Sequence, residues 1–308
     1  MPYSFDNILR KVSTLNTFRR GQRRAPHKPL LLLLAIGALT RGRKHLTFHK
    51  VEAQLTPLLN AYAPPVLGAH QPELPYWYLI SDGVWVVEGA SGMPRQAGGF
   101  PRMAALRSSI GHLSEDLSEL ISTNPDTTAL IVEAILDEHF PPSVHEDIIA
   151  AVGLERKPPG LVKDSAAPPL PVRYRSPRFR ENVLRAYEHK CAVTGFRAAL
   201  GGSYFGCEAA HVRWHAYDGP DEVSNGIALE PTIHKLFDAG AWSLTDDRRI
   251  LVSLEFTGSE TAVRLLRELH GRPLCAPLPG EPLVNAEYIQ WHRERDLGGV
   301  FRAPGLPL

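Results

Sequence analysis

Apolar positions recur at helical spacing through most of the first 150 residues and read as strands in only one place. Phe5, Ile8, Leu9, Val12 and Leu15 mark one helical face, with Ser4 as its cap. The run 29–39 (PLLLLLAIGAL) is apolar on every side, which predicts a helix buried all round, with Pro29 in its first turn and Gly42 near its end. Residues 51–62 predict a further helix. Residues 77–87 (WYLISDGVWVV) instead predict a β-hairpin turning at Asp82-Gly83. Helices resume over 104–108, 114–121, 126–139 and 144–152. Residues 156–172 (RKPPGLVKDSAAPPLPV) have no periodicity and are rich in Pro, Ala and Ser, the composition of a semi-extended linker. After it, Ser176-Pro177 opens a helix whose stripe is Phe179, Val183, Leu184 and Tyr187, with Arg178, Arg180 and Arg185 around it. Short strands, turns and one short helix follow, then an amphipathic helix near 286–295.

These elements predict an α+β chain. A mainly helical domain with a short hairpin fills residues 1–153, a Pro-rich linker 154–172, and a second domain with a ββα unit 173–308. The length of 308 residues, too great for one average core, supports two domains. No run is long enough to span a bilayer, and MPYSFDNILRK lacks a signal-peptide layout, so no membrane partner is expected. Three cysteines cannot build a disulfide framework, which points to a reducing, cytoplasmic setting. The net charge of +1 hides an uneven distribution. Before residue 51, Arg10, Lys11, Arg19, Arg20, Arg23, Arg24, Lys28, Arg41, Arg43, Lys44 and Lys50 stand against Asp6 alone, whereas 115–147 carries acids and no Lys or Arg. A phosphate-binding surface opposed by an acidic one fits this pattern, and so do two ordinary solvated faces.

The chemistry concentrates in residues 207–240 (CEAAHVRWHAYDGPDEVSNGIALEPTIHKLFDAG). Hydrolysing a phosphodiester takes a base for water, a cation at the scissile phosphate, and a means of holding the base in register. Residues 207–214 predict a strand bearing His211. A polar loop over 215–224 leads to the turn pair Asn225-Gly226, and Ile227, Ala228 and Leu229 form the return strand. Pro231 opens a helix with His234 and Asp238 on one face. Through AAHV, SNGIAL and HKLFDAG, with WHRER near the end, residues 176–295 resemble the HNH endonucleases of the ββα-metal type. The resemblance implies a divalent-metal DNA nuclease using Mg²⁺, Mn²⁺ or a similar ion. His211 would be the general base, Asn225 the lock of its loop, and His234 a metal ligand bound as neutral imidazole. Asp238 stands where some members place a further helix ligand, and equally suits a hydrogen bond to the Ala239-Gly240 turn. Many members carry a ligand immediately before the base, where this chain has Ala210. Glu208, on the same side of an extended strand, is the candidate replacement. Many members also brace the fold with four zinc-binding cysteines. Cys191, Cys207 and Cys275 cannot supply such a set, so no structural zinc is expected, and Cys191 and Cys207 are assigned to the core.

Two further passages, APHKPLLLLLAIG (25–37) and LPYWYLISDGVWVV (74–87), resemble the sulfur-binding domains of McrA-type, modification-dependent HNH restriction endonucleases, over about residues 1–153. That likeness implies double-stranded DNA carrying backbone phosphorothioate as partner; because one HNH site cuts one strand, a homodimer is expected for double-strand breaks. Leu74, Pro75, Tyr76 and Tyr78 are the candidates for an apolar sulfur cup, the alternative being that the aromatic segment only packs its domain. Arg23, Arg24, His27, Lys28 and Arg102 are the candidates for phosphate or guanine contacts. A reader of another modification such as 5-methylcytosine, a mobile-element HNH nuclease and a non-catalytic DNA reader are the competing readings.

Overall fold

The computed structural model describes residues 5–17, 19–20, 23–155 and 177–307, with residues 19, 20, 23, 24 and 177 described as backbone only. The caps expected at Ser4 and Ser176 lie outside the described residues, as does all of the expected linker beyond its first two positions. The chain forms two compact units, one amino-terminal and one carboxy-terminal. No helix among the described residues is long and apolar enough to cross a membrane.

The amino-terminal unit is organised by helix His27–Thr40, whose residues Lys28 to Ala38 are all buried. A helix apolar on every face must be surrounded, and helices Phe48–Tyr62, Glu73–Tyr78, Glu115–Thr123 and Pro125–His139 pack against it. Its closest approach is at Gly37, where an added Cβ would lie 2.2 Å from the carbonyl oxygen of Val152. Any side chain at this position would push the segment after helix His145–Ala151 away. Arg41 donates to the carbonyls of Val152 and Gly153, satisfying the end of that same helix. Polar caps set other boundaries: Thr47 accepts from Lys50 N, and Asn124 accepts from both Asp126 N and Thr127 N.

The hairpin expected at 77–87 is not formed. Residues Glu73–Tyr78 are helical, a 3₁₀ turn covers Leu79–Asp82, and Gly83 ends it with φ 68°. Pro72 at the cap and Pro75 in the first turn favour this start, and the buried Tyr76 and Leu79 fall three residues apart, a helical spacing. Trp85–Val87 is a strand, but its partner is the distant Ile110–Leu113, paired Trp85↔Leu113, Val86↔His112 and Val87↔Gly111. Leu46–Thr47 pairs with the other edge of that strand, completing a three-stranded antiparallel sheet. Gly111 leaves room for the indole of Trp85, which a Cβ there would meet at 2.2 Å. Separately, the backbone of Arg19–Arg20 pairs with that of Arg23–Arg24.

The carboxy-terminal unit opens with helix Pro177–Ala186. Strands Glu208–His211 and Gly226–Leu229 pair antiparallel, Glu208↔Leu229 through His211↔Gly226, and helix Pro231–Asp238 follows. This is the ββα unit. Helix Glu260–Leu269 is not among the elements the periodicity predicts. The last helix is Ala286–Arg293, two residues shorter than expected.

Candidate nuclease site and modified-DNA face

His211 ends the first ββα strand, almost fully buried. Its ring stacks on Phe179 of the first helix, centroids 3.8 Å apart at 14°. Gly226 makes that stack possible. It faces His211 in the ladder with φ −123°, ordinary strand backbone, and a Cβ there would strike Val183 at 2.3 Å and Phe179 at 3.2 Å. The Asn225-Gly226 pair is therefore no hairpin turn; glycine is needed for the close approach of helix to strand. His211 Nε2 donates to Asp221 Oδ1 at 2.8 Å. A carboxylate on Nε2 selects the tautomer in which Nδ1 carries the lone pair. Asp221 was not singled out from the sequence. It lies in the polar loop, and only its position four residues before Asn225 marked it.

Asn225 is completely buried. Its Oδ1 accepts from Arg213 N at 2.8 Å, and its Nδ2 donates to the carbonyls of Arg213 and Pro220, both at 3.0 Å. One amide thus ties both ends of the loop that delivers Asp221 to His211.

At the other end of the same strand, Glu208 Oε2 lies 2.7 Å from His234 Nδ1. On the opposite side of that imidazole, Asp238 Oδ2 is 3.1 Å from Nε2, and Asp238 Oδ1 accepts from the Trp214 indole at 3.0 Å. Burial pulls His234 down, but Asp238 and then Glu208 outweigh it and hold the ring up to about 9. The two carboxylates thus favour the charged ring, whereas the neutral imidazole expected of a metal ligand concerns the metal-bound state. The His234 hydrogen bond, chiefly, holds the half-buried Glu208 below the usual carboxylate range, with Arg180 adding to it. Asp238 stands on the opposite side of the imidazole from Glu208, and the Ala239-Gly240 turn makes backbone bonds to Lys235 and Phe237. A donor pair of one carboxylate and one imidazole, the latter fixed from behind by a buried carboxylate, fits a divalent cation.

In the amino-terminal unit, the candidate cup residues separate. Tyr76 is fully buried, edge-on to Phe48 and Trp85, with its hydroxyl 3.0 Å from Ser109 Oγ. Its ring packs in the core of the domain. Pro75 is buried, Leu74 half-buried and Tyr78 exposed. Beside Tyr78 the structure adds Phe100 at 5.9 Å, which also meets Trp77 at 6.3 Å, with the Arg95 guanidinium 5.5 Å over the Trp77 ring. The Lys28 side chain is largely buried, and its Nζ bonds Asp82 at 2.6 Å. His27 packs edge-on to His70 at 5.2 Å, and burial, then His70, pushes it down to about 4, so it offers a neutral ring in place of a charge. Arg102 is exposed, at the cap of helix Met103–Arg107. The side chains of Arg23 and Arg24 lie outside the described residues.

Residues 5–157 match the family model of the ScoMcrA-like DNA sulfur-binding domain, and residues 191–245 match that of an HNH endonuclease. The chain carries a ScoMcrA-like sulfur-binding domain followed by an HNH endonuclease domain. Among solved structures, it is similar to the sulfur-binding domain of ScoMcrA complexed with phosphorothioated DNA, at 25% identity and TM-score 0.43, covering 50% of this chain and 97% of that one. The corresponding domain of SprMcrA, also complexed with phosphorothioated DNA, gives 22%, TM-score 0.41, and 49% and 95% coverage. The modification-dependent TagI restriction endonuclease gives 26%, TM-score 0.29, and 38% and 37% coverage. No curated protein matches the chain.

Within the HNH domain, the WHRER segment is structural. Trp291 is buried against Trp214 and Tyr217, and His292 stacks on Phe237 at 3.7 Å and 3°, with Nδ1 2.9 Å from Ser243 Oγ. Cys191 and Cys207 are buried in the core of this domain, and burial, foremost, pushes the Cys207 thiol up to about 11. Thr194 replaces a second cysteine, and its N–H donates to Cys191 Sγ at 3.5 Å.

Two histidines give this domain opposite pH dependences. Burial holds His292 down to about 4, against the opposing charge of Asp238. Its contribution is full above pH 6.5 and is lost as pH falls through about 4. His234, raised, contributes fully below pH 6.5 and loses that contribution as pH rises through about 9. Each shift amounts to roughly 3 kcal/mol by linkage. Thermal melts in EDTA are therefore expected to peak near pH 6.5; a melting temperature still climbing between pH 7 and 9 contradicts the His234 assignment.

Proposed function

We propose that this chain is a phosphorothioate-dependent restriction endonuclease, which reads sulfur in the DNA backbone with its first domain and hydrolyses a nearby phosphodiester with its second. The observation that carries the reading is the presence of both domain types in one chain, the second with a histidine held by a carboxylate. In the proposed reaction, His211 Nδ1 takes the proton from the attacking water while Asp221 holds Nε2–H and stabilises the imidazolium that forms. Asn225 fixes the loop that brings Asp221 there. Glu208 and His234 would hold a divalent cation such as Mg²⁺ or Mn²⁺, which supplies Lewis-acid stabilisation of the phosphate and the leaving oxygen. Asp238 orients His234 from behind, and the exposed Arg178 and Arg180 offer charge to the DNA backbone.

In the first domain, Leu74, Pro75 and Tyr78, with Trp77 and Phe100, supply the apolar surface that would take sulfur. Sulfur is larger and less hydrated than oxygen, so such a surface accepts it while penalising an unpaired anionic oxygen by several kcal/mol. Arg95 and Arg102 flank it as phosphate contacts. One nuclease site cuts one strand, so a homodimer would serve double-strand cleavage, in the cytoplasm where cellular DNA is met. The test is one duplex with and without a single stereodefined phosphorothioate, in Mg²⁺ and in Mn²⁺. Cleavage confined to the sulfur-bearing duplex is expected. Equal cleavage of both overturns the sulfur reading and leaves a nuclease of other specificity; cleavage of neither overturns the nuclease.

A further inference from the structure

Far from the nuclease motif in sequence, the small sheet of the sulfur-binding domain gathers His45, Glu88 and His112, whose ligand atoms all lie within 4.8 Å of one another. His112 lies on the central strand Ile110–Leu113, and His45 and Glu88 each lie one residue beyond the ends of Leu46–Thr47 and Trp85–Val87. Leu46 pairs with Gly111, so His45, one residue earlier, stands opposite His112 on the central strand. Val86 pairs with His112, and Glu88, two residues beyond Val86, points to the same face. His45 Nε2 is 3.8 Å from Glu88 Oε1, and the two imidazoles meet edge to face at 5.2 Å.

A second observation concerns the tautomer. His112 Nδ1 lies 2.8 Å from the carbonyl oxygen of Leu113. A carbonyl only accepts, so Nδ1 carries the proton and Nε2 the lone pair. A backbone carbonyl holding one ring nitrogen is the usual support of a metal-binding histidine. His45 and Glu88 are both about half exposed, with the rotamer freedom to close on an ion, and the nearby Lys44 ammonium is engaged by Glu115 at 2.9 Å. Two imidazoles and one carboxylate suit zinc, nickel or cobalt better than magnesium or calcium, which favour oxygen donors.

We infer that His45, Glu88 and His112 form a binding site for a borderline transition-metal ion of the Zn²⁺ class, which clips the three short strands of the sulfur-binding domain together. Such a clip would be a structural zinc that the cysteine count did not lead one to expect, because its donors are imidazoles and a carboxylate. The clip would brace the strand carrying Trp85, against which Tyr76 and its helix pack.

The experiment uses the full chain with His234→Ala, which removes the nuclease donor, and compares it with the same chain also carrying His45→Gln and His112→Gln. Zn²⁺ uptake is measured by equilibrium dialysis, and melting temperature with and without Zn²⁺. The expected result is the loss of one saturable equivalent, together with loss of the Zn²⁺-dependent rise in melting temperature. Any other zinc-binding group contributes equally to both chains and cancels. Equal uptake by the two overturns the inference, as does an absence of binding in the parent. Matching melts in EDTA establish that the substitutions leave the fold intact; should they differ, Glu88→Gln on the exposed edge replaces the pair and is read the same way.

Discussion

His211→Ala is expected to lower strand cleavage by about 10²–10⁴-fold, the range over which a positioned base contributes to proton transfer. Binding to a phosphorothioate duplex should be unchanged, because His211 lies on a strand of the HNH domain and the sulfur-reading surface is built from the other. The contact to Asp221 makes a graded series possible. Asp221→Asn keeps the size of the side chain but presents an amide that can donate to Nε2, which favours the tautomer with the proton on Nδ1. The base would then be protonated where it must be empty. Asp221 is about a quarter exposed, so water can partly substitute for it, and a loss of roughly 10²-fold is expected, short of the value for a fully buried carboxylate. The assay is single-turnover nicking of a supercoiled or synthetic substrate, with binding measured in parallel. A fall in binding matching the fall in cleavage would make His211 a structural residue. Full activity in Asp221→Asn would remove Asp221 from the mechanism while leaving His211 in it.

The order of the ββα unit was legible because its chemistry is local. A strand ending in histidine, an asparagine before the return strand and a proline-opened helix occupy one stretch, and each signal lies beside the element it sets. What remained hidden depended on partners distant in sequence. Trp85–Val87 has strand character, but nothing near it reveals that its partner is Ile110–Leu113, so the closest apolar run was paired with it instead. Gly226 followed asparagine and read as a turn, whereas its cause is the ring of Phe179. Asp221 looked like any loop acid until Asn225 was seen to draw both loop ends together. The burial of Tyr76 and the ion pair of Lys28 with Asp82 likewise depend on partners far along the chain. Periodicity reports which face of an element is buried, but not which element covers it.

Glu208→Ala and Asp238→Asn should separate the donor of the cation from the group behind it. Both carboxylates touch His234, but through different nitrogens and from different surroundings: the Glu208 side chain is 47% exposed, that of Asp238 1%. The open side of the imidazole is therefore the one facing Glu208, and Asp238 is sealed against Trp214. Removing an outer carboxylate costs about 10–100-fold in metal affinity or activity. Asp238→Asn, which still accepts from the indole, is expected in that range, with activity regained at higher Mg²⁺ or Mn²⁺. Glu208→Ala removes one of the two proposed protein donors, and a loss greater than about 10²-fold is expected, with little recovery at any metal concentration tested. The readout is the metal concentration for half-maximal nicking, alongside the rate at saturation. If Glu208→Ala needs no more metal than the parent chain, the cation is held elsewhere, and the proximity of Glu208 to His234 is then only a salt bridge. If instead Asp238→Asn is the more damaging of the two, the donor lies on the Nε2 side of His234. Ala210 stands where many related nucleases carry a ligand, which leaves Glu208 as the acidic side chain of this strand that the comparison tests.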